Sequence, residues 1–173
     1  MLQLTGKERS LLQELKKHEE VCIQKYNNYA NQAQDPQLKN LFQQYAFQEQ
    51  RHYDTINQLL QGQQPNLTGQ GQQKTGIQFQ TAVGQQPIGM HYQSAPNQSY
   101  AMQGAIAKET DVTLCNDMLM TERFVSGSYD TSIFDAVNPQ VRQALQHIQQ
   151  EEQQHGQGIV NYLNQKGMKS VTP

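Results

Sequence analysis

Glu49-Gln50-Arg51-His52 and Glu152-Gln153-Gln154-His155 decide the fold, because each Glu-x-x-His follows another glutamate by the same thirty residues, Glu19 in the first case and Glu122 in the second. Residues three apart share one face of a helix, so each motif presents a carboxylate and an imidazole together. Four carboxylates and two imidazoles are the ligand set with which a four-helix bundle holds two transition-metal ions in its core.

The equal intervals belong to an internal repeat with an offset of 103 residues. It carries Glu19 to Glu122, Tyr26 to Tyr129, Ala33 to Ala136, Pro36 to Pro139, Gln43 to Gln146, Glu49 to Glu152 and His52 to His155. Leu11, Leu15, Leu38 and Leu60 fall on Leu114, Met118, Val141 and Leu163. The two halves are therefore helical hairpins of one design. Asp35-Pro36 and Asn138-Pro139 mark the two turns, since an Asx N-cap accepts an orphan N–H and a proline at the first helical position has none to leave unpaired.

Helical periodicity predicts helices near residues 6–34, 36–61, 105–136 and 139–166. The first opens on a capping box, Thr5-Gly6-Lys7-Glu8, and its inner face reads Leu11, Leu15, Glu19, Cys22, Tyr26, Tyr29 or Ala30, and Ala33. The second reads Leu38, Phe42, Tyr45, Glu49, His52, Ile56, Leu59; the third Leu114, Met118, Glu122, Val125, Tyr129, Ile133, Ala136; the fourth Val141, Leu145, Ile148, Glu152, His155, Ile159, Tyr162. Glutamates thus lie on all four apolar stripes, where a carboxylate is costly unless it is paired, protonated or bound to a cation. Neighbouring helical positions differ by about 100°, so His18 or Glu20 competes with Glu19 for the inward place. Tyr26 and Tyr129 lie two turns beyond the first and third glutamates, where a phenol either packs with its hydroxyl satisfied or hydrogen-bonds a ligand.

Between the hairpins, roughly residues 62–104, the chain is dense in Gln, Gly, Pro, Asn and Ser, as in Gln63-Gln64-Pro65 and Gly69-Gln70-Gly71-Gln72-Gln73. That composition makes no core of its own. Its length suits a crossover between second and third helices that run parallel, anchored by Ile77, Phe79, Val83, Ile88, Met90 and Tyr92. The expectation is one all-α domain over residues 1–173.

With 35% hydrophobic residues, a mean hydropathy of -0.82 and a net charge of -2, the chain has the composition of a single soluble core and no basic run for nucleic acid or an anionic membrane. The N-terminal residues lack the apolar centre of a signal peptide, so cytoplasmic synthesis is expected. Cys22 and Cys115 are not repeat mates and form no CxxC, which predicts buried free thiols.

Paired hairpins of Glu followed by Glu-x-x-His, joined by a long crossover, resemble the ferritin-like dimetal carboxylate superfamily. The resemblance implies that Glu49 and Glu152 bridge two ions, that Glu19 and Glu122 are terminal ligands, and that His52 and His155 bind one ion each. Iron or manganese is then expected, with zinc able to replace them on purification. More narrowly, Tyr26-Asn27-Asn28-Tyr29-Ala30, Asp35-Pro36-Gln37-Leu38-Lys39 and the segment from Phe42 to Gln50 are similar to the spore coat protein F family of endospore-forming bacteria. This implies a component of the spore coat, with other coat proteins as partners and a homo-oligomer allowed; the charge and hydropathy above predict neither nucleic acid nor membrane as a partner. It implies no catalytic residues. The alternative is an iron- or manganese-dependent oxidoreductase or metal-handling protein acting on oxygen or peroxide. Ser126-Gly127-Ser128 departs from the pattern, because Gly and Ser weaken a helix interior.

Overall fold

The computed structural model of the chain describes residues 2–67 and 98–168. Four helices, α1 (Gly6–Gln32), α2 (Pro36–Leu60), α3 (Gln98–Asp135) and α4 (Pro139–Gln165), pack as a four-helix bundle, with no strand among the described residues. The caps are those the sequence predicts: the Thr5 hydroxyl accepts from Glu8 N–H while the Glu8 carboxylate accepts from Thr5 N–H, and Asp35 and Asn138 cap helices that begin with proline. Helices α2 and α4 stop at Gly62 and Gly167, whose φ of 76° and 66° is the left-handed conformation that only glycine enters freely.

Helix α1 packs against α2 and α3, and α4 against α3 and α2. Every adjacent pair is antiparallel, as cross-links of falling and rising number show: Lys7 with Asp135, Tyr29 with Asp117, Lys16 with Asn57, and Asp35 with Lys166. Helices α2 and α3 are the diagonal pair and run parallel, so the connection between them starts and finishes at opposite ends of the bundle. The crossover anchors from Ile77 to Tyr92 lie outside the described residues.

Three expectations require correction. Helix α3 begins at Gln98 rather than near residue 105, because Ala101, Met102 and Gln103 are good helix formers that the surrounding Gln- and Gly-rich composition conceals. On α1 it is Leu12 that is fully buried, while Leu11 is half-exposed; of Tyr29 and Ala30, the two alternatives left open there, Ala30 occupies the core. On α2, Tyr45 lies at the edge of the core and Ala46 is buried. Helix α3 also runs unbroken through Ser126-Gly127-Ser128. There the Ser128 and Ser132 hydroxyls turn back onto the carbonyls of Phe124 and Ser128, and the burial of Val125 and Tyr129 offsets the roughly 1 kcal/mol that a helical glycine costs.

Two acidic residues lock the bundle ends. Glu8 Oε1 accepts the N–H groups of Val137 and Asn138 at 3.0 and 2.6 Å, and Asp111 accepts those of Gln34 and Asp35 at 2.8 and 2.9 Å. Glu8 and Asp111 are themselves related by the 103-residue offset, as are the turns they hold. Each hairpin thus staples the turn of the other. Hydrogen bonds to a charged group are worth about 1.5–3 kcal/mol and buried donors left unpaired cost a similar amount. Asp111→Ala is therefore expected to lower stability by about 2–4 kcal/mol and Tm by roughly 4–16 °C, measured by thermal unfolding. Glu8 is held below the usual carboxylate range by backbone N–H groups of Asn138, Thr5 and Val137 against the opposing effect of burial. Its contribution is present above the unfolded carboxyl pKa and is lost as pH falls through the lowered folded one.

Candidate metal centre

Midway along the bundle the apolar core is interrupted. One cluster, with Phe42, Met118 and Leu163, fills one end, and another, with Leu12, Ile56 and Leu145, fills the other. Between them Glu19, Glu49, Glu122 and Glu152 enter from the four helices, and His52 and His155 follow one turn after the α2 and α4 glutamates. All six are at most 3% exposed. His18 is half-buried and Glu20 exposed, so Glu19 is the inward member of its trio.

The six residues converge as two overlapping groups, Glu19, Glu49, His52 and Glu152, and Glu49, Glu122, Glu152 and His155, with the ligand atoms of each group within 4.8 Å of one another. Glu49 and Glu152 belong to both. His52 Nδ1 lies 2.8 Å from Glu152 Oε1, 3.5 Å from Glu49 and 3.6 Å from Glu19, and His155 Nδ1 lies 2.9 Å from Glu49 Oε1 and 3.9 Å from both Glu122 and Glu152. The two imidazoles stack with centroids 5.7 Å apart.

The outer nitrogens have partners of their own. His52 Nε2 is 2.8 Å from Glu151 Oε2, and His155 Nε2 is 2.8 Å from Gln48 Oε1. With Nε2–H donating outward, each Nδ1 lone pair faces the carboxylates, as a metal-binding imidazole requires. The Tyr26 hydroxyl donates to Glu122 Oε1 and the Tyr129 hydroxyl to Glu19 Oε1, so each phenol steadies one oxygen of a glutamate from the other hairpin.

What remains is a set of buried atoms with no hydrogen-bond partner: Oε2 of Glu19, Glu49 and Glu122, both oxygens of Glu152, and His52 Nδ1. The 2.8 Å approach of His52 Nδ1 to Glu152 Oε1 does not have the direction of a hydrogen bond, which is why both atoms count among them. Buried polar groups are otherwise almost always paired, so converging orphan acceptors of this kind fit a divalent cation. Oxygen and imidazole donors suit iron, manganese or zinc.

Burial pushes all four glutamates upward in pKa, Glu19 to about 7 with repulsion from Glu49 added, and Glu152 to about 8 with repulsion from Glu49 and Glu19. For His52 burial works downward, but the surrounding carboxylates of Glu151, Glu152, Glu19 and Glu49 hold it well above the usual value; burial lowers His155 to about 4. Raised carboxyl pKa values mean that metal-free folded protein binds protons that the unfolded chain has lost. The stability they contribute is fully present below the unfolded pKa near 4.3 and disappears as pH rises through 7 to 8. The His155 contribution has the opposite sign and is lost below about pH 6.5. The expected result is a metal-free Tm that falls between about pH 6.5 and 8.5, and a flatter curve with Mn²⁺ present, since the cation replaces the protons.

Residues 110–172 match the Coat F domain. The matched stretch contains Glu122, Glu152 and His155, and stops short of the first hairpin with Glu19, Glu49 and His52. No curated protein matches the chain. The fold is similar to the crystal structure of a hypothetical protein from Methanococcus jannaschii DSM 2661, with a TM-score of 0.65 and 18% identity over 100% of this chain and 88% of that one. At that identity the likeness speaks for the fold alone.

The sequence pattern did not lead to Gln48, Glu151 or Asp111, and led to Glu8 only as half of a capping box. The signal was available, because the 103-residue offset pairs Gln48 with Glu151 as it pairs Glu8 with Asp111.

Proposed function

We propose that the chain is a spore-coat-associated protein built on a ferritin-like scaffold, with a dinuclear metal centre in the bundle core. The Coat F match over the second hairpin supports the coat role. The observation that carries the chemical part is the pair of overlapping four-residue groups sharing Glu49 and Glu152, with their orphan oxygens turned inward. In this reading Glu49 and Glu152 would be shared by the two ions, Glu19 and Glu122, steadied by Tyr129 and Tyr26, would each hold one, and His52 and His155 would each offer Nδ1 to one. The outward face of α3 supports assembly with partners: Met120, Phe124 and Phe134 are exposed along it. Among the described residues no helix is long and apolar enough to cross a membrane.

Protein purified without chelator is expected to carry close to two equivalents of iron or manganese by elemental analysis, and a tagged copy to fractionate with the coat of an endospore-forming host. Metal at the level of a buffer blank rejects the centre, and recovery outside the coat rejects the role.

A second reading, an oxidoreductase acting on oxygen or peroxide, is favoured by a cavity of about 610 Å³ between α2 and α4 that reaches His155. Iron or manganese ions bound there would supply one-electron redox change. Electrons would come from an outside donor. Metal-dependent turnover above that of free metal, lost on substitution of the bridging glutamates, decides for this reading.

A further inference from the structure

Gln48 and Glu151 are partners in the internal repeat, each placed directly before a glutamate shared by both ligand groups. Each lies at the same 2.8 Å from Nε2 of the histidine of the other hairpin. The geometry is duplicated but the chemistry is not. Behind His52 stands a carboxylate, and behind His155 stands a neutral amide. A carboxylate hydrogen-bonded to a ligating imidazole makes the inward nitrogen the stronger donor, and removing such outer partners typically costs about 10–100-fold in metal affinity.

Access differs in the same sense. His155 borders the cavity between α2 and α4, together with Gln48, Tyr45 and Gly158; Glu151 lines it too, but His52 itself does not. The Tyr45 ring lies over that of His155, with centroids 4.3 Å apart. Gly158 makes room for it, since a Cβ there would sit 1.7 Å from the Tyr45 hydroxyl oxygen. The repeat counterparts of Tyr45 and Gly158 are Ile148 and Thr55, both buried.

We infer that the two ion positions are unequal and fill in order: the position of Glu19 and His52 keeps the first divalent ion tightly, and the position of Glu122 and His155 holds a second ion that exchanges through the cavity between α2 and α4. This rests on the dinuclear centre proposed above. Glu151 and Gln48 act as positioning residues, through the histidines they hold.

The test is titration of Mn²⁺ into the metal-free full chain, with free Mn²⁺ followed by electron paramagnetic resonance and release followed after a pulse of chelator. Wild type is expected to bind two ions in two steps separated by about tenfold or more, the weaker ion leaving first. Glu151→Gln should weaken the tight step by about 10–100-fold and merge the two. The reciprocal pair Gln48→Glu with Glu151→Gln should separate them again, whereas mere structural damage predicts that the pair binds worse than Glu151→Gln alone. Two equal steps in wild type, or a separation unchanged in Glu151→Gln, overturns the inference and leaves the dinuclear centre standing. Absence of any Mn²⁺ binding by wild type overturns the centre itself, and the order of filling with it.

Discussion

Replacing Glu49 and Glu152 together by glutamine is expected to abolish binding of both ions while the bundle still folds. Glutamine keeps the shape and an acceptor oxygen of each side chain but removes two charges, and these two residues belong to both ligand groups. The loss should exceed the roughly 10–100-fold that follows removal of an outer-shell partner. A thermal readout accompanies it. Metal at about 100 times its Kd stabilises the native state by about 2.7 kcal/mol per ion, roughly 5–11 °C in Tm for a chain of this size. The variant should lose that increment. Without metal and above pH 8 it should melt no lower than wild type, because repulsion among Glu19, Glu49, Glu122 and Glu152 is relieved. A hydrogen-bonded network that never held metal gives another outcome, in which Mn²⁺ leaves the Tm of wild type and variant alike unmoved.

The hairpins and the six central residues were legible in the sequence for one physical reason. A glutamate at an inward helical position is unusual enough to stand out against leucine and isoleucine, and the repeat shows it four times. Asp35-Pro36 and Asn138-Pro139 were equally plain, since cap and proline act locally. The misplaced residues are those whose fate depends on packing. Leu11 and Leu12 are chemically identical and adjacent, so periodicity alone leaves about 100° of rotation unsettled, and only contact with α2 and α3 decides it. Glu8 was read as half of a capping box, which it is, yet the same carboxylate reaches across to the α3–α4 turn. A local role that explained the residue concealed the distant one. Gln48 and Glu151 escaped notice because a glutamine and a glutamate on polar helix faces look like solvated surface until the histidine of the other hairpin is brought against them.

Coat incorporation is expected to survive the loss of metal and to fail when the outward face of α3 is made polar. Met120, Phe124, Gly127 and Phe134 recur at helical spacing on that face, Phe124 and Phe134 are 64% and 91% exposed, and a Cβ at Gly127 would meet nothing within 4 Å. In the proposed coat role these exposed side chains are the surface that a coat partner would cover. Phe124→Ser with Phe134→Ser should hardly alter the fold, because surface substitutions stay within about 0.5 kcal/mol. If both rings are buried in the coat, each contributes about 1.5–3 kcal/mol, so the pair should weaken attachment by a factor of about 10² to 10⁴. The measurement is the amount of tagged protein recovered from purified coats, with circular dichroism to confirm that each variant folds. Phe124→Ser with Phe134→Ser should be missing from the coat, and the glutamine variant of Glu49 and Glu152 should be present at the wild-type level. The reverse pattern, attachment that tolerates serine on α3 but not glutamine in the core, would mean that the metal centre rather than the helix face is what the coat requires.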